Sequence, residues 1–268
     1  MKLRTIIWQE LRQRKWFIFW WTVGIVAYMA LVIAVYPSFR HQAAALNDSL
    51  NQLPDTVKSL VSDTGNFLSP VGYLSSNAHY LLLPLLFGVL AIGLGSSLLA
   101  KDEQAHTLEL ILSRPVRRST VLFGKAVAGA AIVAGVALAA SIATMILSWA
   151  VNLELSLWRV GAATMMSAFL ALLFGVVAYT FTAFGRAARL ASVGTATLLF
   201  AASYLFTSLA GTVRWLRWPA KLLPYNYYHP AEILGGTNNG GFTALGFAAI
   251  IAVLCVAAWV GFRRRDIA

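Results

Sequence analysis

Apolar residues along the chain collect into six long runs that are separated by shorter polar segments. A helix needs about 20 mostly apolar residues to cross the hydrocarbon core of a bilayer. Each of the six runs reaches that length, so the pattern predicts an all-α polytopic membrane protein with one transmembrane domain over residues 1–268. The predicted spans are 17–36, 80–100, 122–149, 160–184, 190–211 and 242–262.

Composition agrees with a membrane protein rather than a soluble one. The 268 residues are 59% hydrophobic and 12% charged, whereas soluble domains carry about 25% charged residues. A net charge of +11 would suggest nucleic acid as the partner of a soluble protein. Here the basic residues mostly flank apolar runs, as topology signals do, so we expect membrane lipid and no nucleic acid. Cys255, the one cysteine, lies in an apolar run and excludes an intramolecular disulfide.

The distribution of basic residues predicts the orientation of the chain. Six spans place both termini on one side of the membrane. Fifteen of the 21 lysines and arginines fall on that side and six on the other. Because lysine and arginine are enriched in cytoplasmic loops, both termini are predicted to be cytoplasmic. The first apolar run is too long for a cleaved signal sequence. We therefore expect a multi-pass protein of a cell membrane, prokaryotic inner or cytoplasmic in type.

Residues 3–15 precede the first span and carry a helical pattern of their own. Leu3, Ile7 and Leu11 recur every four residues, and basic residues occupy positions between them. This spacing predicts an amphipathic helix that lies along the inner membrane surface before the chain turns into the first span. A basic flank without a fixed helix is the alternative.

Two longer segments are predicted on the outer side. Residues 37–79 are polar, contain Pro54, and are expected to form an ordered loop with one short helix near 42–52. Residues 212–241 are too aromatic for a solvated loop, and their prolines prevent a full span. Because Trp and Tyr favour the membrane interface, this segment is predicted to lie in the outer interface or dip into it. Its marker residues are Trp215, Trp218, Pro224, Tyr225, Tyr228 and Pro230.

A polar insert at 101–120 separates the second and third spans. Leu108, Ile111 and Leu112 form one apolar face at helical spacing, and Pro115 disfavours helix at the residue before it. The insert is predicted to leave the membrane, form a short helix nearly parallel to it, break and re-enter. Such a helix either docks on a cytoplasmic partner or lies on the interface without one.

The stretch "AKDEQAHTLELILSRPVRRSTVLFGK" at 100–125 resembles the segment after the second span of ABC-2 type permeases, the membrane subunits of type V-like ABC exporters. The sequence departs from that pattern at His106, where glycine is usual. The six-span layout and the proline-aromatic segment before the last span are also similar to that family. The matching residues are Glu103, Thr107, Leu108, Glu109, Leu110, Leu112, Ser113, Pro115, Arg118, Gly124 and Lys125.

The resemblance implies a permease that exports a substrate with energy from ATP. It implies two ATPase subunits that bind ATP and Mg, paired with two permease copies or with one copy and a homologue. The insert would contain the coupling helix that docks on the ATPase, and residues 214–233 would shape the outer exit. The coupling residues implied in this chain are Glu103, Thr107, Leu108, Glu109, Ile111, Leu112 and Pro115.

The chain itself carries no motif for ATP hydrolysis. A phosphate-binding loop needs Gly-x4-Gly-Lys-Ser/Thr. The single Gly-Lys pair, at 124–125, has Ser119 at the first glycine position and Ala126 in place of the hydroxyl residue. We therefore predict no enzyme activity and no cofactor on this chain.

Other functions receive less support from the same residues. An ion-coupled carrier usually places ionisable residues within its spans, and none of the predicted spans has one at mid-membrane. His79 and His229 would form a copper site if they met at the outer face, but satisfied interfacial histidines are commoner and no metal site is predicted. A non-transporting scaffold is the remaining alternative. Small residues of the third span permit close helix packing, namely Ala126, Gly129, Ala130 and Gly135.

The predicted topology is testable by cysteine labelling. Cysteines introduced at positions 50 and 117 should react with a membrane-impermeant reagent from opposite sides of intact cells, because an odd number of spans separates them. Labelling of both positions from the same side would contradict the span count.

Overall fold

The computed structural model describes residues 3–41, 69–104, 118–185 and 189–264, and all regular secondary structure within these ranges is helical. The long helices are α1 (Leu3–Gln13), α2 (Lys15–His41), α4 (Leu82–Gln104), α5 (Arg118–Ala150), α6 (Leu157–Phe184), α7 (Arg189–Leu209) and α10 (Gly241–Arg264). The short ones are α3 (Pro70–Leu74), a π-helix (Ser75–His79), a 3₁₀ turn (Arg214–Leu216), α8 (Arg217–Ala220), a second 3₁₀ turn (Pro224–Tyr227) and α9 (Pro230–Gly235).

Six helical segments in the described residues are long and apolar enough to cross a membrane, which confirms the predicted all-α polytopic fold. They are Lys15–Ser38, Pro70–Lys101, Ser119–Ala150, Leu157–Phe184, Leu190–Leu209 and Gly241–Arg263.

The second of these segments begins earlier than the sequence predicted. Residues 70–79 were expected to belong to an outer loop, but they are helical and mostly buried. The side chain of Ser69 accepts a hydrogen bond from the Gly72 amide at 2.9 Å, and Pro70 occupies the first turn. Capping by serine and a proline at the first helical position both favour a helix start here, ten residues before the apolar run. The short helix predicted near 42–52 lies outside the described residues.

Helix α6 forms the centre of the bundle. In its apolar window 72% of the residues are buried, the largest share among the six candidate spans. It packs against α4, α5, α7, α9 and α10. Helix α6 is apolar around its whole circumference, as expected of a helix that neighbours surround on all sides.

The closest helix contact joins α4 and α6 through glycine. A Cβ atom on Gly175 would lie 2.7 Å from the carbonyl oxygen of Ala91, and one on Gly95 would overlap the carbonyl oxygen of Gly175. No side chain fits between the two backbones at this level. Small residues allow this approach, and the packing they permit is a main source of helix association in membranes.

The bundle has two distinguishable ends. At the α1 end, α1 packs on the start of α5, where a Cβ atom on Gly124 would lie 3.1 Å from Cγ2 of Ile6. The last turns of α6 and α10 meet there, with Gly261 against the ring of Phe184. The opposite end contains α3, the π-helix and residues 214–235, whose helix α9 contacts both α3 and the π-helix.

The glycine contact predicts a position-specific stability effect. Gly95→Ala should lower the free energy of unfolding by about 1–3 kcal/mol, because the added methyl group forces α4 away from α6. Gly93→Ala on the same helix is the matched control, since its Cβ would meet no atom within 4 Å. Thermal unfolding of the detergent-purified proteins gives the unfolding midpoints of Gly95→Ala and Gly93→Ala. Equal midpoints for the two variants would contradict a tight α4–α6 contact.

Candidate functional site

The predicted coupling residues lie mostly beyond the part of the chain that the structure describes. Thr107, Leu108, Glu109, Ile111, Leu112 and Pro115 fall within 105–117, outside the described residues, and Glu103 lies in the last turn of α4. The structure does show the two helices that this segment connects. The structure describes α4 as far as Gln104 and α5 from Arg118 onwards, both at the α1 end.

Helix α1 is present where the sequence predicted a helix, but its packing face differs from the predicted apolar stripe. Leu3 is exposed, and Ile7 and Leu11 are half-buried. The buried positions are Ile6 and Glu10. The face that packs on α5 is therefore displaced by one residue from the stripe, and it includes a carboxylate.

Glu10 is the centre of a buried polar cluster, which we call the Glu10 cluster (Glu10, Arg14, Ser97 and Lys125). The Lys125 ammonium donates to Glu10 Oε1 and to the carbonyl oxygen of Leu98, each at 2.8 Å. Arg14 Nε donates to Glu10 Oε2 at 3.1 Å, and Arg14 Nη1 donates to Ser97 Oγ at 3.1 Å. Helix α1 is thus bonded to α5 through Glu10, and Arg14, in the turn that follows α1, bonds to α4.

The electrostatics of the cluster favour a charged Glu10. Burial alone would raise the pKa of this carboxyl group, since a low-dielectric environment disfavours the ionised form. The nearby cations Lys125 and Arg14 outweigh that effect, and the pKa of Glu10 is lowered below its ordinary value. The bonds to Leu98 and Ser97 satisfy further donors of the two cations.

Lys125 does not act as the span-flanking basic residue that the sequence predicted. The sequence placed Lys125 among the basic residues that flank spans, but only 2% of it is exposed, and it lies inside the third membrane segment. Two signals in the sequence pointed to this cluster. Glu10 is the only acidic residue before Asp48, and Lys125 interrupts an apolar run.

The opposite end of the bundle holds a buried aromatic cluster. Tyr225 and Tyr228, at 0% and 1% exposure, lie within the protein. The Tyr228 hydroxyl donates to the carbonyl oxygen of His79 at 2.8 Å and pairs with Ser167 Oγ at 2.6 Å. The Tyr225 hydroxyl donates to the carbonyl oxygen of Tyr80. Both acceptors lie where the π-helix ends, and short π-helical turns often occur at functional sites.

The structure separates aromatic residues that the sequence grouped at the outer interface. Trp215 and Trp218 are 69% and 73% exposed, whereas Tyr225 and Tyr228 face the protein interior and not lipid headgroups. Pro224 and Pro230 explain the difference, because each begins a new short helical turn. Proline fixes φ and ends the preceding turn, so the chain changes direction and carries the tyrosines inward.

His79 and His229 do not share a site. His79 is fully buried, and its two ring nitrogens contact the Leu74 carbonyl oxygen and Thr164 Oγ1, each at 3.2 Å. His229 is exposed. Among the described residues, no group of three or more histidine, cysteine, aspartate or glutamate side chains is placed to hold a metal ion.

The Glu10 cluster predicts a large effect of removing the carboxylate. Glu10→Gln should lower the free energy of unfolding by about 3–5 kcal/mol, because it leaves the buried Lys125 charge without its counter-ion. The double variant Glu10→Gln/Lys125→Met should regain part of that loss. Arg12→Gln, at an exposed position of α1, is the control. Thermal unfolding midpoints test this, and a Glu10→Gln midpoint equal to that of Arg12→Gln would contradict it.

The lowered pKa of Glu10 also predicts how stability depends on pH. A carboxyl group whose pKa is lower in the folded state stabilises the fold above its unfolded value, and this stabilisation disappears as the pH falls through the folded value. The difference in unfolding midpoint between the wild type and Glu10→Gln should therefore be full at neutral pH. It should shrink as the pH falls below about 4. A difference that stays constant down to pH ~3 would contradict a charged, paired Glu10.

Comparison with known families agrees with this architecture. Residues 4–267 match a family model described as ABC-2 family transporter protein. No curated protein matches the chain. The matched range includes all six membrane-length helices, the Glu10 cluster and the buried aromatic cluster. The chain therefore belongs to the ABC-2 transporter family and is a multi-pass membrane permease.

Proposed function

We propose that this permease is the membrane subunit of an ATP-driven exporter whose ATP is hydrolysed on separate ATPase subunits. The observation that carries the proposal is the family match over residues 4–267, since ABC-2 permeases associate with ATP-binding subunits. In the proposed assembly, two permease copies, or one copy and a homologue, pair with two ATPase subunits that bind ATP and Mg. Both termini and residues 105–117 face the cytoplasm of a prokaryotic inner or cytoplasmic membrane.

The proposed docking element is the coupling helix within 101–115. Its apolar face, with Leu108, Ile111 and Leu112, would bury itself against the ATPase, and Glu109 would fix its orientation through polar contacts. A docking helix gains affinity from a few buried anchors, and truncation of one commonly costs about 2 kcal/mol or more. The segment connects α4 to α5, so force applied to it reaches both helices directly.

The Glu10 cluster supports a role for α1 in this coupling. Arg14 bonds to Ser97 on α4, and Glu10 bonds to Lys125 on α5. Helix α1 and the turn that follows it therefore join the two helices next to the docking segment. When ATP binding closes the ATPase pair, α1, α4 and α5 would move together at this end.

Motion would reach the opposite end through α4 and α6. The glycine contact between these helices leaves no space for independent sliding. Ser167 on α6 and the carbonyl groups of His79 and Tyr80 hold Tyr228 and Tyr225. A tilt of α4 and α6 would therefore break or realign these hydrogen bonds. Residues 214–233 would then open the outer exit.

The alternatives receive less support from the described residues. An ion-coupled carrier needs ionisable groups that are available to the transported ion. The buried charges of Glu10 and Lys125 are instead paired with each other. Against a non-transporting scaffold the support comes from the sequence, in which residues 101–120 carry an apolar face suited to docking on a partner.

Charge on the apolar face of the docking helix tests the proposal. Leu108→Asp or Leu112→Asp should release the ATPase or uncouple ATP hydrolysis from transport, because a desolvated charge at the interface lacks a partner. Glu109→Ala should have a milder effect of the same kind. The measurements are co-purification of the ATPase and transport-stimulated ATPase activity in reconstituted vesicles.

The matched control is Leu222→Asp, which places the same charge on an exposed leucine at the opposite end. It should leave association with the ATPase unchanged. Unchanged association and coupling in both Leu108→Asp and Leu112→Asp would mean that the segment does not dock, and the proposed exporter mechanism would lose its main support.

A further inference from the structure

A crevice between α5 and α10 is not used by the proposed transport mechanism. Both helices pack extensively on α6 but only slightly on each other. Two cavities lie in the space between them. One, of about 180 Å³, is lined by α4, α5, α6 and α10, and the other, of about 410 Å³, lies nearer the opposite end. We call this space the α5–α10 crevice.

Small residues create the first of these cavities. Ala126, Gly129 and Ala130 of α5 line one wall, and Gly175 lies on α6. A Cβ atom on Gly129 would lie 2.7 Å from Cδ1 of Leu98, so a side chain there would displace the end of the Leu98 side chain. The predicted small-residue stripe of α5 therefore serves close packing at Gly129, while its two alanines leave open space.

The lining of the crevice is suited to hydrocarbon. Leucine, valine, isoleucine and phenylalanine make up most of the remaining lining of the 180 Å³ cavity, and the 410 Å³ cavity adds three methionines and Trp158 to residues of these types. A water molecule needs two to four polar partners, and an apolar cavity of about 150 Å³ stays dry and accepts a molecule such as benzene. The crevice also lies within the membrane-spanning part of the helices, where acyl chains are the surrounding medium.

A third cavity continues the crevice at the α1 end and is different in character. It measures about 530 Å³ and is lined by Leu3, Ser119, Thr120, Phe123 and Trp259. Phe123 lines both this cavity and the 180 Å³ cavity, so the two are adjacent. The guanidinium of Arg263 lies 4.8 Å from the centre of the Trp259 ring. A cation and two hydroxyl groups thus lie where the apolar crevice reaches the end of the bundle.

We propose that the α5–α10 crevice binds an anionic membrane phospholipid. One acyl chain lies along α6 between α5 and α10, beside Ala126 and Ala130. The phosphate lies at the α1 end, where Arg263, Ser119 and Thr120 supply hydrogen-bond donors. Hydrogen bonds between a guanidinium and phosphate oxygens are charge-assisted and stronger than neutral ones.

Charge favours an anionic lipid as the occupant. The protein carries a net charge of +11, with fifteen basic residues predicted for the α1 end. An anionic headgroup at this end brings the opposite charge to the Arg263 guanidinium beside Trp259. Basic residues near a membrane surface attract anionic lipid electrostatically.

Filling the crevice tests the acyl-chain site. Ala130→Phe and the milder Ala126→Leu place side-chain volume in the open space of the 180 Å³ cavity. Ala131→Phe is the matched control, because Ala131 is exposed on the same helix and does not line the cavity. The full chain is purified, stripped of lipid with detergent, and titrated with phosphatidylglycerol or with phosphatidylcholine of the same acyl chains. Native mass spectrometry counts the bound lipid.

We expect one phosphatidylglycerol per chain in the wild type and in Ala131→Phe. Ala130→Phe should weaken that binding by about tenfold or more, and Ala126→Leu should weaken it less. Arg263→Gln should reduce the affinity for phosphatidylglycerol to that for phosphatidylcholine without abolishing binding of either lipid. These four results together would support both the acyl-chain site and the headgroup site.

Other results would overturn the proposal. If Ala130→Phe and Ala126→Leu bind lipid as tightly as the wild type does, the acyl chain does not lie in the crevice. If Ala131→Phe loses as much lipid affinity as Ala130→Phe, the effect is not local to the cavity. Equal affinity of the wild type for phosphatidylglycerol and phosphatidylcholine would contradict the proposed headgroup site. Loss of a cross-linked permease dimer in Ala130→Phe, with no lipid bound to the wild type, would assign the crevice to a second copy instead.

Discussion

The close approach of α4 and α6 is the constraint on which the rest of this bundle depends. Gly95 and Gly175 let the two backbones meet without intervening side chains. In a bilayer the surrounding lipid is as apolar as the helix surfaces, so association relies on van der Waals contact and not on exclusion of water. Helix α6 then provides the surface on which α5, α7, α9 and α10 pack. A rigid α4–α6 pair also connects the Glu10 cluster at one end with the buried tyrosines at the other.

The Glu10 cluster gives α1 a defined position that apolar packing alone would not give. Apolar packing tolerates a small change of register more readily than an ion pair does, because charge-assisted hydrogen bonds need a defined donor–acceptor geometry. The desolvation of Glu10 and Lys125 costs about as much free energy as their attraction returns, so the pair adds little net stability. The directional bonds from Lys125 to Glu10 and from Arg14 to Ser97 instead specify where α1 and the following turn meet α5 and α4. This specificity suits a helix that we propose to move together with the docking segment.

The two ends of the bundle use different chemistry. At the α1 end, charged groups are buried as pairs, so a change of register there disturbs strong electrostatic interactions. At the opposite end, Tyr225 and Tyr228 bond to backbone carbonyl groups and pack ring against ring at 5.6 Å between centroids. Neutral hydrogen bonds of this kind each contribute about 0.5–1.5 kcal/mol. In the mechanism that we propose, this contact opens during transport, and neutral hydrogen bonds open at a lower cost than buried charge pairs do.

The sequence by itself determined the number and approximate place of the membrane helices, because bilayer thickness imposes a length on every apolar run. It also predicted a helix over residues 3–15, and its motif at 100–125 indicated the family. Only the tertiary structure decided which face of α1 is buried and that Glu10 pairs with Lys125, 115 positions away in the sequence. It also decided that Tyr225 and Tyr228 turn inward while Trp215 and Trp218 do not. The start of the second membrane helix at Pro70 also required local capping that the apolar pattern does not contain. A membrane-spanning helix follows from the composition of one continuous stretch of chain. The pairing of Glu10 with Lys125 and the inward orientation of the tyrosines depend instead on which helices become neighbours in the fold.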